Sequence, residues 1–227
     1  MFMFNVRYVL LSPHYTNEES RRLLNLAYKS WKNTFNQVLT SAGGELDLDD
    51  FFRYDMIGVL MQGDNIIGSH YYSLFDLKLD CCQDHHYMED ITPETRAKLI
   101  AENKSLLYSL EYTNITPEWR KSSANIRWVD VLMGCALKCL DETPASGIIG
   151  TPRVDIKMDQ TCIRMGGYNI QEPVKKMNYE CTVVFLPKQT VRKFYSEEIQ
   201  RWVDSLWQNH ESFLAPVENS KLNKKAA

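Results

Sequence analysis

Chemistry-bearing residues concentrate in three places along the chain. Ile115-Thr116-Pro117-Glu118-Trp119-Arg120-Lys121-Ser122-Ser123-Ala124-Asn125 joins a strand-like run to a helix-like one. The free N–H groups at a helix start carry positive partial charge and suit a phosphate. Arg120 and Lys121 add cations there, and Ser122 and Ser123 add hydroxyl donors. The same residues also suit an ordinary capped helix with a solvated basic pair. Just upstream, Glu111 stands in LLYSLEYTNI with Thr113 two residues on, on the same face of an ideal strand. A carboxylate there can take the proton of an attacking amine, or serve as a paired strand carboxylate. The third place is acidic: Glu45, Asp47, Asp49 and Asp50 follow Gly43-Gly44. It could hold a cationic amine, or be a solvated loop.

Other reactive residues form weaker patterns. Cys81-Cys82-x-Asp84-His85-His86 packs metal-ligand types together without the paired, spaced clusters of a structural zinc site. It reads as a polar loop, and no metal is expected. Cys135 and Cys139 sit four apart on a helical pattern as core thiols. None of the five histidines pairs recognisably with a cysteine nucleophile.

The composition narrows the function classes. The chain has 227 residues, with 26 Lys+Arg against 29 Asp+Glu and a net charge of −3. That lacks the basic field of a dedicated nucleic-acid binder. Apolar residues make up 44 % and aromatics 11 %, enough for a sizeable core. No apolar run reaches the ~18 residues of a membrane span. The start, MFMFNVRYVLLSPHY, has neither a basic n-region nor a small-residue cleavage site. Six cysteines without a secretory signal are expected as reduced thiols in a cytoplasmic protein.

Periodicity supplies the elements that must position these groups. NVRYVLL at 5–11 reads as a strand. Apolar residues from Leu23 to Leu39 recur at three- and four-residue steps, predicting a helix over about 18–39 capped by Asn17 or Thr16. Met56–Gln62 and Ile66–Leu74 flank a Gly63-Asp64-Asn65 turn as a hairpin. Residues 76–92 are polar and irregular, and Pro93 after Thr92 opens a helix to about Lys104. Strands are expected at 106–115, at 146–154 with breaks at Gly150 and Pro152, and at 179–186. Helices are expected at 123–141, 157–165 and 196–213. The β–α–β order places 106–115 and 146–154 parallel and side by side in a mixed α/β sheet. Residues 1–217 read as one domain with a polar insertion at about 76–105, and 218–227 as a frayed tail.

The string I-T-P-E-W-R before a helix resembles the acyl-CoA-binding motif of the GCN5-related N-acetyltransferase (GNAT) superfamily. DQTCIRMGGYNI at 159–170 is similar to that superfamily's short helix ending in a Gly-aromatic pair, and the hairpin fits its second and third strands. Trp31 and Phe35, followed by Glu45-x-Asp47-x-x-Asp50-Phe51, resemble the acyl-homoserine-lactone autoinducer synthases and the long-chain N-acyl amino acid synthases. The resemblance covers roughly 20–186. It implies a GNAT-like, mixed, mostly antiparallel sheet with a splayed parallel strand pair, flanked by helices.

The resemblance also implies an N-acyltransferase that moves a medium- or long-chain acyl group from a thioester to an amine such as an amino acid. No cofactor is permanently bound. The co-substrate is acyl-CoA or acyl-phosphopantetheine on an acyl carrier protein, and the acceptor is a small-molecule amine. Catalysis would fall to Glu111, Thr113 and the Ile115 backbone. Donor binding would fall to Asn114, Arg120, Lys121, Ser122, Ser123, Ala124 and Asn125, and acceptor binding to Glu45, Asp47 and Asp50. Where the superfamily has loop glycines this chain has Ser123 and Asn125, which favours a carrier-held single phosphate over a pyrophosphate. Tyr71 stands where autoinducer synthases carry Arg, and Ile163 where the leaving-group acid would be. The alternatives are an acetyl-CoA-dependent small-acyl transferase and a non-catalytic module that binds an acyl thioester.

Overall fold

The computed structural model describes residues 5–120, 126–189, 194 and 196–215. Two five-stranded sheets share the chain. In the first, β1 (Val6–Leu11) lies between β10 (Glu211–Phe213) and β2 (Met56–Gln62), followed by β3 (Asn65–Tyr72) and β6 (Glu111–Ile115). The second runs β4 (Leu74–Asp76), β5 (Leu106–Ser109), β7 (Gly147–Gly150), β9 (Tyr179–Pro187) and β8 (Tyr168–Lys176). Pairing is antiparallel except for β1 with β10 and β5 with β7. The predicted parallel neighbours are therefore present, with Tyr108 opposite Ile148.

Strand alternation divides the core. Tyr8 and Leu10 of β1 face one cluster, and Val9 and Leu11 face another. The second cluster is covered by α1 (Glu18–Ser41), whose Leu23, Leu24, Ala27 and Trp31 are buried. Asn17 accepts from the Ser20 N–H, while the Ser20 hydroxyl accepts from the Asn17 N–H; this reciprocal cap fixes the start of α1. The first cluster holds α5 (Trp128–Asp141), which is apolar on most faces because sheet and α7 (Glu197–Gln208) enclose it. The α5–α7 approach requires Gly134, where a Cβ would meet Val203 at 2.3 Å. A third cluster joins β5, β7 and β9 to Tyr87, Met88, Ile91 and Leu99 of the segment between β4 and β5. Within that segment lie α2 (Asp80–Gln83), a 3₁₀ turn at His86–Asp90 and α3 (Pro93–Ala101), capped by Thr92.

Five expectations are corrected. The helix expected over 196–213 ends at Gln208, and 211–213 is the strand β10. The 106–115 strand is two strands in different sheets, divided at Leu110, whose N–H still bonds Ile149 O at 3.0 Å. The 146–154 strand does not resume after the expected break at Gly150, and the following segment makes only an isolated bridge from Arg153 to Cys181. β8 was unexpected because YNIQEPVKK is polar and contains Pro173. As an edge strand it tolerates the missing donor, and the left-handed pair Met177 (φ 49°) and Asn178 (φ 63°) turns it into β9. Of the helix expected over 123–141, Ser123 to Asn125 lie outside the described residues, Ile126 and Arg127 are not helical, and α5 runs from Trp128; a four-residue turn α4 (Pro117–Arg120) follows β6. A further helix, α6 (Met158–Arg164), falls within its predicted span. No helix among the described residues is long and apolar enough to cross a membrane.

Candidate active site

Where β5 becomes β6 the chain leaves the second sheet and joins the first, so β6 and the segment after β7 splay apart. A cleft of about 790 Å³ fills the gap. Leu110–Ile115 form one wall and Gly150–Arg153 the other. The volume is that of a small-molecule site. Phe35, Val38 and Leu39 of α1, with Trp119, Trp128, Ile156, Met158, Val184 and Leu186, supply an apolar lining.

The exposed backbone edge of β6 can be oriented from its register. The Thr116 N–H bonds Ile67 O at 2.9 Å, and Ile115 lies opposite Gly68. Antiparallel pairs alternate between bonded and non-bonded residues, so the Ile115 N–H points away from β3, toward the gap. Gly68 keeps this strand close, because a Cβ there would sit 2.5 Å from Asn114 O.

At the start of β6 the cleft is acidic. Glu111 is the cross-strand partner of Tyr71. Arg53 reaches its carboxylate with both terminal nitrogens, donating from Nη1 to Oε1 at 3.2 Å and from Nη2 to Oε2. The Ser109 hydroxyl donates to Oε1 at 2.7 Å, and the Tyr54 hydroxyl to Oε2 at 3.4 Å. Arg53 Nε donates to Asp50 Oδ1 at 2.8 Å, and the Tyr112 hydroxyl to Asp50 Oδ2 at 2.7 Å. Two carboxylates thus share one guanidinium. Burial disfavours the Arg53 cation, but its bonds and charge contacts with Glu111, and the nearby Asp50, outweigh that and raise its pKa. Burial, and then the neighbouring carboxylates, push the Tyr54 and Tyr112 phenols up, so both remain donors.

Tyr112 has φ 46°, in the left-handed region that a bulky residue seldom occupies. The register of β6 slips there: Glu111 pairs with Tyr71 but Asn114 with Ser69, an extra residue on β6. This bulge breaks the simple alternation expected of Glu111 and Thr113, and residues 111–115 all reach the lining. Edge contacts with Trp31 and Phe35 hold the Tyr112 ring. Asn114 is buried, and its Nδ2 donates to Ser69 Oγ at 2.9 Å and to Tyr112 O at 3.1 Å.

At the end of β6 the cleft is basic. Arg120 donates from Nε to Ile115 O at 2.8 Å. Arg127 precedes α5 without a side-chain cap, and Trp128 and Val129 at the helix start line the cleft. Arg127 pairs at 3.4 Å with the buried Asp130.

Of the residues singled out in the sequence, Glu111, Thr113, Asn114, Ile115, Arg120 and Asp50 come together in this cleft. Lys121, Ser122, Ser123, Ala124 and Asn125 lie outside the described residues. Glu45 is exposed and lines a separate recess of about 390 Å³. Asp47 is exposed and caps the 3₁₀ turn Leu48–Phe52, accepting from the Asp49 N–H at 2.9 Å. Sequence reading missed Arg53, Tyr112, Arg127 and His86. Only Arg53 had a local signal, its i, i+3 spacing from Asp50. Tyr71 leaves no guanidinium on β3, but Arg53 delivers one to Glu111, directly opposite. Among the described residues no group of His, Cys, Asp or Glu is placed to hold a metal ion, and all six cysteines are free thiols.

A mixed sheet that splays at a parallel strand pair over a cleft defines the GNAT-like class of fold. Solved structures agree. BjaI, a CoA-dependent acyl-homoserine lactone synthase solved with SAM and isopentyl-CoA, has a TM-score of 0.56 and 12 % identity, over 89 % of this chain and 88 % of that one. FeeM, an N-acyl amino acid synthase from uncultured soil microbes, has 0.54 and 14 %, over 81 % and 90 %. The acyl-homoserine-lactone synthase LasI has 0.53 and 10 %, over 81 % and 90 %. No protein-family model and no curated protein matches the sequence. The chain has the GNAT-like fold of these acyl-transferring synthases.

Proposed function

We propose that the protein is an N-acyltransferase that moves a medium- or long-chain acyl group from a thioester to a small amine. One observation carries this reading: a single splayed strand, β6, runs from a carboxylate-lined end of the cleft to a cationic, helix-start end. The two ends suit the two substrates, and the apolar walls suit the chain between them.

The donor's phosphate binds at the start of α5 between Arg120 and Arg127, where charge-assisted bonds are available. The thioester carbonyl lies against the Ile115 N–H, which stabilises the tetrahedral oxyanion. The acyl chain packs along Phe35, Val38, Leu110 and Leu186. The acceptor approaches from the Asp50–Glu111 side. These two carboxylates and Arg53 carry a net −1, which draws in an ammonium group. Glu111 positions Arg53 and sets that field. The amine nitrogen attacks the carbonyl carbon, the C–N bond forms, the C–S bond breaks, and the thiolate leaves without a dedicated acid. A carrier-held phosphopantetheine is the preferred donor, because one phosphate needs few donors at this helix start.

The test incubates the full chain with one acyl chain presented on coenzyme A or on a carrier protein, with a pool of amino acids, and reads products by mass spectrometry. An N-acyl amine product supports the reading, and a higher kcat/KM for the carrier-bound thioester supports the donor preference. No turnover across chain lengths and amines replaces the enzyme with a binding module.

A further inference from the structure

Acyl transfer from a thioester requires that the acceptor lose a proton before its nitrogen can attack, and the cleft carboxylates are poorly placed to take it. All four of their oxygens accept hydrogen bonds. Glu111 Oε1 accepts from Ser109 and Arg53, and Oε2 from Arg53 and Tyr54. Asp50 Oδ1 accepts from Arg53 and Oδ2 from Tyr112. Arg53 lies between the two carboxylates, so protonating either one weakens its charge-assisted bonds. The other titratable linings fare no better. Lys176 is paired with Asp90 at 2.5 Å, Tyr87, Cys162 and Cys181 are buried, Tyr112 is committed to Asp50, and the Tyr179 ring lies under the Arg153 guanidinium at 3.4 Å.

His86 is left. It opens the 3₁₀ turn His86–Asp90 of the segment between β4 and β5, is solvent-exposed, and lines the cleft together with Asp50, Arg53 and Glu111. Its orientation is set from behind. The His85 ring lies 4.4 Å away at 31°, and that ring is braced by Phe75 at 5.0 Å and by accepting the Tyr87 N–H on Nδ1 at 3.1 Å. The charged and titratable groups that share the cleft with it are Glu111 and Tyr112 on β6, Asp50 and Arg53 from the segment before β2, and Lys176 on β8, while His85, Glu89 and Asp90 lie on its own segment. An imidazole is the side chain suited to exchange a proton near neutral pH, and an exposed one can return it to water.

We propose that His86 is the general base of the acyl-transfer reaction. The proposal rests on the functional reading above. The imidazole takes one proton from the acceptor's ammonium group and becomes imidazolium. The neutral amine attacks the thioester carbon, forming the C–N bond. The tetrahedral intermediate expels the thiolate, which picks up the second nitrogen-bound proton and leaves as a thiol. His86 then releases its proton to solvent, so each turnover yields one amide, one thiol and one free proton.

The experiment compares wild type with His86→Gln in the full chain, using a long-chain acyl thioester presented both on coenzyme A and on a carrier protein, with an amino-acid pool at saturation. It measures kcat from about pH 5.5 to 9.5, with circular dichroism confirming the fold. For the wild type, kcat should rise with unit slope to a plateau. His86→Gln should lose about 10²-fold in kcat near pH 7, keep the donor KM within about twofold, and recover toward high pH, where the amine is already neutral. Added imidazole should restore part of the loss. An active wild type whose His86→Gln variant keeps its rate and profile, or falls equally at every pH, overturns this proposal alone. An inactive wild type overturns the acyl-transfer reading and this assignment with it.

Discussion

Arg53 and Glu111 are 58 positions apart in the chain, yet they meet as a fork pair at the start of β6, with Asp50 held on the remaining guanidinium nitrogen. The Arg53 and Glu111 side chains are 18 % and 9 % exposed, so little water competes for the pair. Removing the guanidinium leaves two carboxylates facing each other with no cation between them. Arg53→Ala should lose about 2–4 kcal/mol of stability in urea titrations. Arg53→Lys should lose less but still fall short of wild type, because an ammonium cannot bridge both carboxylates in a plane. Wild-type stability in Arg53→Ala would reduce the pair to a surface contact.

Tyr112 combines a strained backbone with a hydroxyl on Asp50. Tyr112→Phe keeps the ring packed on Trp31 and Phe35 and removes only that bond. A loss of about 1.5–3 kcal/mol is expected from a hydrogen bond to a charged group. A melting curve superimposable on wild type would show that the bond contributes nothing net.

His70 gives the molecule an acid sensitivity that is separate from catalysis. It is fully buried, and its Nε2 sits 2.7 Å from the Tyr8 hydroxyl and 3.0 Å from that of Tyr72. Burial pushes its pKa down to about 3. An unfolded imidazole titrates near 6.5, so between about pH 6.5 and 3 the unfolded chain holds a proton that the folded chain lacks. Stability from this group is therefore complete above pH 6.5 and is lost as pH falls, by up to about 1.4 kcal/mol per unit within the window. Urea titrations of wild type and His70→Asn at pH 4, 5 and 6 test this. The difference between their unfolding free energies should shrink with acidity, and parallel curves would refute it.

Arg120 and Arg127 should act on the donor rather than on the acceptor. Arg120→Ala or Arg127→Ala should weaken acyl-CoA binding by about 1–3 kcal/mol, roughly 5- to 150-fold, and leave the acceptor KM within about twofold. The loss should narrow as salt screens the wild-type contact. Calorimetric titration at two ionic strengths reads both effects, and unchanged donor affinity in both variants would remove the phosphate from this end.

Thiol chemistry should divide by depth. Cys81 is exposed, whereas burial pushes Cys139 and Cys162 up to about 12 and Cys135 higher still. A thiol reagent should modify Cys81 first in the native protein and all six after denaturation without reductant. Rapid native labelling of Cys135 would mean that α5 opens readily.

Much of this was legible before any coordinates. Asn17 capped its helix, Pro93 opened another, and the Gly63-Asp64-Asn65 turn closed its hairpin, because each is a local signal. Glu111, Asn114, Ile115 and Arg120 came from one contiguous stretch. What escaped depended on distance. Arg53 is an unremarkable cation after an acidic run until the fold brings Glu111 to it. The break at Leu110 is invisible in an apolar run that serves two sheets in turn. β8 carries almost no apolar period, since its register comes from β9 and its turn. That Ile126 and Arg127 stand outside α5 escaped because nothing local in the sequence marks either as non-helical.

The passage of one unbroken run from β5 into β6, alongside a second from β3 into β4, has a mechanical consequence. The two sheets are joined through Ser73 between β3 and β4 and through Leu110 between β5 and β6. A change in the packing of one sheet is passed to the other through those two residues, so a substitution at either junction should alter the width of the groove between them.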